Sequence, residues 1–353
     1  MPFLFQRGFE VLGVKIAVVG CGAVGSYYGA KLVRAGHAVH FLLRSDYATV
    51  RRQGVFVRSP EGDFYVQPRC AASPGEIGPC DLVLIALKTT ANDEFAALLP
   101  SLVGSATAVL TLQNGLGNED SLARIFPAEQ ILGGLCFVCL NRIAPGVVQH
   151  IGYGQIVLGE FQRPAQPRTH DLARSFQEAG IHCAVAGDLA RAHWEKLVWN
   201  IPFNGLGVAS AAGFDAVAKT YDLDPLSDER GELSLGGRGS SSELHECLTT
   251  DRLLADPRWS SLVRELMIEV ISAGQGMGFD LRDSLADEQI QRTRAMGAYK
   301  ASTLIDFERG QPLELHSLFL EPLRRARHAG LALPRLASLC VILSALDRRE
   351  RVP

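Results

Sequence analysis

Along the first half of the chain, short apolar runs alternate with stretches whose apolar positions recur at helical spacing. Lys15-Ile-Ala-Val-Val-Gly20 is the first such run, and its β-branched content and closing glycine predict a buried strand. Apolar positions from about Val24 to Ala35, ended by Gly36, predict a helix. Further strands are expected at His37–Leu43, Asp81–Leu87 and Ala108–Leu112. A last pair flanks the Ala144-Pro145-Gly146 turn and reaches Gly152-Tyr-Gly154. Strands alternating with helices imply a mostly parallel, doubly wound sheet.

Near Asp188 the pattern becomes helical. Arg191–Val208 reads as one helix with Trp194, Leu197, Val198 and Ile201 on its apolar side. Trp259, Leu262, Val263, Leu266, Met267 and Val270 form a second stripe at helical spacing, either a core face or a homodimer interface in the helical part. Later helices are expected at about Asp287–Gly297, Ser317–His328 and Arg335–Ser344. The expectation is an α/β domain over residues 1–187 followed by an all-helical domain over 188–353. Within the second, 222–242 is rich in Asp, Glu, Gly and Ser and reads as a loop insertion or a lid.

Composition narrows the function classes. With 35 Lys+Arg against 38 Asp+Glu the net charge is −3, which disfavours a nucleic-acid partner. The chain contains no apolar run of transmembrane length and no signal-peptide-like start, so no membrane association is expected. The eight cysteines read as reduced thiols of a cytoplasmic protein. Cys136 and Cys139 form a lone C-x-x-C with no second pair at zinc spacing, and no metal is expected.

Gly20-Cys21-Gly22-Ala23-Val24-Gly25 is a G-x-G-x-x-G directly after a predicted strand and at the start of a predicted helix. That context marks a Rossmann-type dinucleotide site, with the pyrophosphate on the helix N-terminus. The second strand ends in Arg44, with no acid until Asp46. A guanidinium suits a 2′-phosphate, so NADP(H) is expected over NAD. In the helical part, Lys196, Asn200 and Asn204 are spaced i, i+4, i+8 and share one face beside apolar positions. An ammonium and two amides in such a row suit a small anionic, oxygen-rich substrate. Gln113-Asn114-Gly115 lies at the end of a predicted strand, where doubly wound folds bind ligands, and Ser302 and Glu314 add a hydroxyl and a carboxylate late in the chain.

Together with Leu87-Lys88 and Pro145-Gly146…His150, these motifs resemble the ketopantoate reductases over about residues 15–345. The resemblance implies a helical domain like the C-terminal part of 6-phosphogluconate dehydrogenase. It implies NADPH-dependent reduction of ketopantoate to (R)-pantoate, on the route to pantothenate and coenzyme A, with domain closure excluding water. By position, Lys196 matches the catalytic lysine and Asn114 an asparagine between nicotinamide and substrate. Asn200, Asn204 and Ser302 match substrate-binding groups. Glu314 matches a residue ordering the lysine and cofactor, and Lys88 one lining the adenosine end. A buried lysine whose pKa falls toward neutrality would serve as the acid. Two positions depart from the family pattern: Phe214 stands where a further substrate asparagine is common, and Leu315-His316 where Ile-Asp is common. The alternatives are a reductase of another 2-oxo acid and a non-catalytic NADP-binding sensor.

Overall fold

The computed structural model describes residues 13–220, 223–227 and 244–349. Most of the acidic, glycine-rich segment 222–242 and residues 1–12 lie outside them. The chain divides into two compact units, one of residues 1–114 and 118–190, the other of 115–117 and 191–353.

The first unit is built on ten strands: β1 (Lys15–Val19), β2 (Ala38–Leu42), β3 (Val55–Arg58), β4 (Phe64–Val66), β5 (Arg69–Ala71), β6 (Cys80–Ile85), β7 (Val103–Thr111), β8 (Ile131–Ala144), β9 (Val147–Glu160) and β10 (Cys183–Val185). Their order is β4-β3-β9-β8-β7-β6-β1-β2-β5, with β10 on β9. All pairs are parallel except β3–β4 and β8–β9, which are joined by short turns and so must run antiparallel. The apolar run of β1 is buried on both faces, Ala17 and Val18 being fully inaccessible, as expected of a central parallel strand. Strand order reverses at β1, whose neighbours are β6 and β2. That reversal is the switch point at whose carboxyl edge such folds bind ligands.

The helix Ala23–Arg34 follows β1 and buries Tyr27, Tyr28 and Leu32. Helix Pro167–Glu178 packs Leu172, Ala173 and Phe176 into the same core. The sequence pattern did not reveal β3, β4, β5 or β10. Each is three or four residues long, too short for alternation to show; β3, β5 and β10 are held by pairing to β9, β2 and β9, and β4 by a hairpin with β3.

In the second unit every regular element among the described residues is helical. Its centre is the helix Leu189–Ala209. Trp194, Leu197, Val198 and Ile201 share one core with Trp259, Leu262, Val263, Leu266, Met267 and Val270 of helix Pro257–Gly276. The second stripe is therefore core within the chain, not a surface left for a dimer. Each of these large side chains contributes roughly 1.5–3 kcal/mol on burial. The region expected as one regular helix from Ser317 begins instead with a π turn, His316–Leu320, that runs into the α-helix Glu321–His328. The widened turn leaves the Ser317 carbonyl to accept the Leu116 N–H at 2.9 Å. The approach is so close that a Cβ on Gly115, at φ +83°, would lie 2.3 Å from that oxygen. Leu116 is thereby carried into the helical core.

Candidate active site

In the first unit the expected cofactor residues follow the carboxyl ends of four neighbouring strands. Gly20 follows β1, Arg44 follows β2, Lys88 follows β6 and Asn114 follows β7. The three loop glycines sit in different surroundings. Gly20 has φ +97°, and a Cβ there would lie 2.3 Å from the Leu87 N. A Cβ on Gly25 would lie 2.3 Å from the Gly20 carbonyl oxygen and 3.1 Å from Val18. A Cβ on Gly22 would meet nothing within 4 Å. Gly22 also N-caps the helix Ala23–Arg34, which has neither a side-chain cap nor an acid in its first turn. Free N–H groups beside space that one added methyl would begin to fill make a suitable cradle for a pyrophosphate.

Cys21 is the half-buried thiol of this loop, its Sγ 3.5 Å from the Val18 and Leu42 carbonyl oxygens. Burial pushes its pKa well up, with further contributions from Cys70 and Asp46, so it acts as packing and not as a thiolate. The Arg44 side chain is 91% exposed, and its nearest carboxylate, Glu94, is 3.7 Å away. Such a loose surface pair binds weakly and leaves the guanidinium able to take an anion. Lys88 is exposed at the start of a 3₁₀ turn, Thr89–Glu94.

The loop after β7 is fastened by amides, of which sequence reasoning singled out Gln113 and missed Asn92 and Asn118. Thr111 Oγ1 donates to Gln113 Oε1 at 2.9 Å, and Gln113 Nε2 donates to Asn92 Oδ1 at 2.8 Å. Asn92 Nδ2 donates to Asn118 Oδ1 at 2.9 Å, and Asn118 Nδ2 to the Asn114 carbonyl at 3.0 Å. This chain of donors and acceptors fixes the backbone of Asn114.

In the second unit Lys196, Asn200 and Asn204 lie on successive turns of Leu189–Ala209. Lys196 is partly buried, while Asn200 and Asn204 are 6% and 3% exposed. Pro202, between the two asparagines, sits inside this helix and cannot donate to the Val198 carbonyl, which loosens the turn that carries them. Asn204 Oδ1 accepts from the Thr303 N–H at 3.1 Å and from Ser302 Oγ at 3.3 Å. It therefore caps the helix Ser302–Glu308 from a neighbouring helix and brings Ser302 alongside. The N–H donor fixes the oxygen's identity, so Nδ2 of Asn204 remains as a pair of donors. Glu314 is 4% exposed, just ahead of the π turn. Phe214 is packed edge-on against Trp259 at 5.2 Å, with Arg258 over its face at 4.6 Å. None of the eight cysteines, Cys136 and Cys139 included, is joined in a disulfide. No helix among the described residues is long and apolar enough to cross a membrane.

Comparison with known proteins agrees with this geometry. Residues 16–163 match the family described as ketopantoate reductase PanE/ApbA, and 240–347 match its C-terminal counterpart. A 2-dehydropantoate 2-reductase of Nostoc sp. is 38% identical over 96% of both chains. The crystal structure of a 2-dehydropantoate 2-reductase from Geobacter metallireducens is 42% identical, covers 94% of this chain and 99% of its own, and superposes with a TM-score of 0.81. A D-mandelate dehydrogenase solved with NADH shares the fold at 18% identity and a TM-score of 0.77. Two family matches that together span most of the chain, and a relative at this identity along almost its whole length, place it without ambiguity: the chain belongs to the ketopantoate reductase family.

Proposed function

We propose that the chain reduces ketopantoate to (R)-pantoate with NADPH, the first unit holding the cofactor and the helical unit supplying the acid and the substrate groups. The observation that carries this reading is the row on Leu189–Ala209: a partly buried ammonium, a buried amide one turn on, and a second amide whose oxygen is spent positioning Ser302. The loop Gly20–Gly25 fits a pyrophosphate, and Arg44 fits a 2′-phosphate.

A bound reduced nicotinamide supplies a hydride to the ketone carbon. Lys196 then donates a proton from Nζ to the ketone oxygen as negative charge develops there, and its positive charge stabilises that oxygen before transfer. The Nδ2 groups of Asn200 and Asn204 and the Ser302 hydroxyl hold the carboxylate and hydroxyl of the substrate. Asn114, its backbone fixed by the Asn92–Gln113–Asn118 amides, orients the substrate against the nicotinamide. Glu314 orders Lys196. The protein thus supplies position and electrostatics, and the cofactor supplies the redox chemistry. A sensor would need the loop but not this row.

A second reading, reduction of a different 2-oxo acid, is favoured by Phe214, which is committed to packing on Trp259 where a substrate amide is common. The test is a panel of 2-oxo acids with NADPH, following loss of the reduced-nicotinamide absorbance. Ketopantoate giving the highest kcat/KM is the expected result. A clearly better acid in the panel would replace it.

A further inference from the structure

The end of β2 carries an acid as well as a base. Asp46, two residues beyond Arg44, has a side chain only 11% exposed. Arg142 Nη1 lies 2.5 Å from its Oδ2, and Ser45 Oγ donates to its Oδ1 at 3.1 Å. Arg142 is 96 residues further along, at the far end of β8, and its side chain is 42% exposed. The Gly20–Gly25 loop is close by. Cys21 Sγ lies 3.5 Å from the carbonyl of Leu42, the last residue of β2, and the Asp46 charge is among those raising the Cys21 pKa, after burial and Cys70.

In dinucleotide folds an acid at the end of the second strand favours a free ribose 2′-hydroxyl, and the same charge opposes a 2′-phosphate. The strand end here holds two charges of each sign: Arg44 and Arg142 against Glu94 and Asp46. Removing Arg142 would leave the acids in excess. We infer that Arg142 is a cofactor-selecting positioning residue: its ion pair with Asp46 neutralises the acid of the second strand end and so lets Arg44 receive a 2′-phosphate. The inference rests on the NADPH reading above. It requires no contact between Arg142 and the cofactor.

The test is KM and kcat with NADPH and with NADH for the wild-type chain, Arg142→Ala, Arg142→Lys, Asp46→Asn and the double variant Arg142→Ala/Asp46→Asn. Arg142→Ala should raise the NADPH KM on the order of tenfold, the size expected of one uncompensated charge near a phosphate in well-screened surroundings. It should leave the NADH KM and kcat unchanged. Asp46→Asn in the same chain should restore the NADPH KM, and Arg142→Lys should retain it. An unchanged NADPH/NADH ratio in Arg142→Ala would overturn the inference alone. So would equal weakening of both cofactors, which is a folding defect, or failure of Asp46→Asn to restore, which would put Arg142 on the phosphate itself. A wild-type chain that prefers NADH would overturn the NADPH reading and this inference with it.

Discussion

Gly22 and Gly25 lie three residues apart in one motif and answer to different constraints. Gly25 is held against the Gly20 carbonyl and Val18, so a methyl group there forces helix and strand apart. Gly22 faces open space, and only a ligand would meet its substituent. Gly25→Ala should lower stability by roughly 1–3 kcal/mol or more through overpacking. Gly22→Ala should leave the thermal midpoint unchanged while raising the Kd for NADPH. Thermal melting beside a cofactor titration separates the two. Equal melting losses in both variants would mean that the two glycines serve packing alike. At this scale the sequence offers most where chemistry is encoded locally, and it does so as proposals: the glycine loop, Arg44 and the Lys196–Asn200–Asn204 row. It was silent on Arg142 and Asn92, because each finds its partner, Asp46 or Asn118, through the fold and not through spacing.

Among elements, the helix Ser302–Glu308 depends on a cap borrowed from Leu189–Ala209. Asn204→Asp keeps the accepting oxygen and adds charge favourable to a helix N-terminus, but it removes the Nδ2 donors. Asn204→Ala removes both. The alanine variant should lose about 1 kcal/mol of stability and raise KM for the 2-oxo acid. The aspartate variant should hold its melting temperature and raise KM further, since a carboxylate now opposes an anion. Chemical denaturation and substrate kinetics on both variants test this. A stable alanine variant would mean that the cap does not matter.

The helix Glu321–His328, which continues the π turn, is secured by Glu321, buried and bonded to Arg324 and Arg325 at 2.7 and 2.8 Å. Burial alone would raise its pKa, but the two guanidinium groups outweigh burial and bring it down to about 2. A carboxyl whose folded pKa is depressed stabilises the fold above its ordinary value, and that stability fades as pH falls toward the folded value. Glu321→Gln should therefore melt lower than wild type near neutrality, with the gap closing as pH drops from about 4.5 to about 2. Melting curves across that range check it, and a gap independent of pH would contradict it. The long helices were legible because 3.6-residue periodicity accumulates over several turns. The π turn was not, because one widened turn leaves no periodic signature.

For the molecule as a whole, the alternation of the longer strands with helices and the change to helices near residue 190 were readable before any coordinates, while four short strands were not. The family resemblance rested on motifs scattered from Gly20 to Glu314; the family matches cover those before residue 163 and after residue 240, and the Lys196–Asn204 row lies between them. Substrate identity is where sequence says least, because one side chain lining a site changes specificity without changing the fold. The reaction class rests on Lys196, so the decisive measurement is the turnover of Lys196→Ala with NADPH and ketopantoate, beside its Kd for NADPH. The account predicts a fall in kcat of about 10²-fold or more, the usual worth of a positioned general acid, with cofactor affinity unchanged. Turnover close to wild type would contradict it.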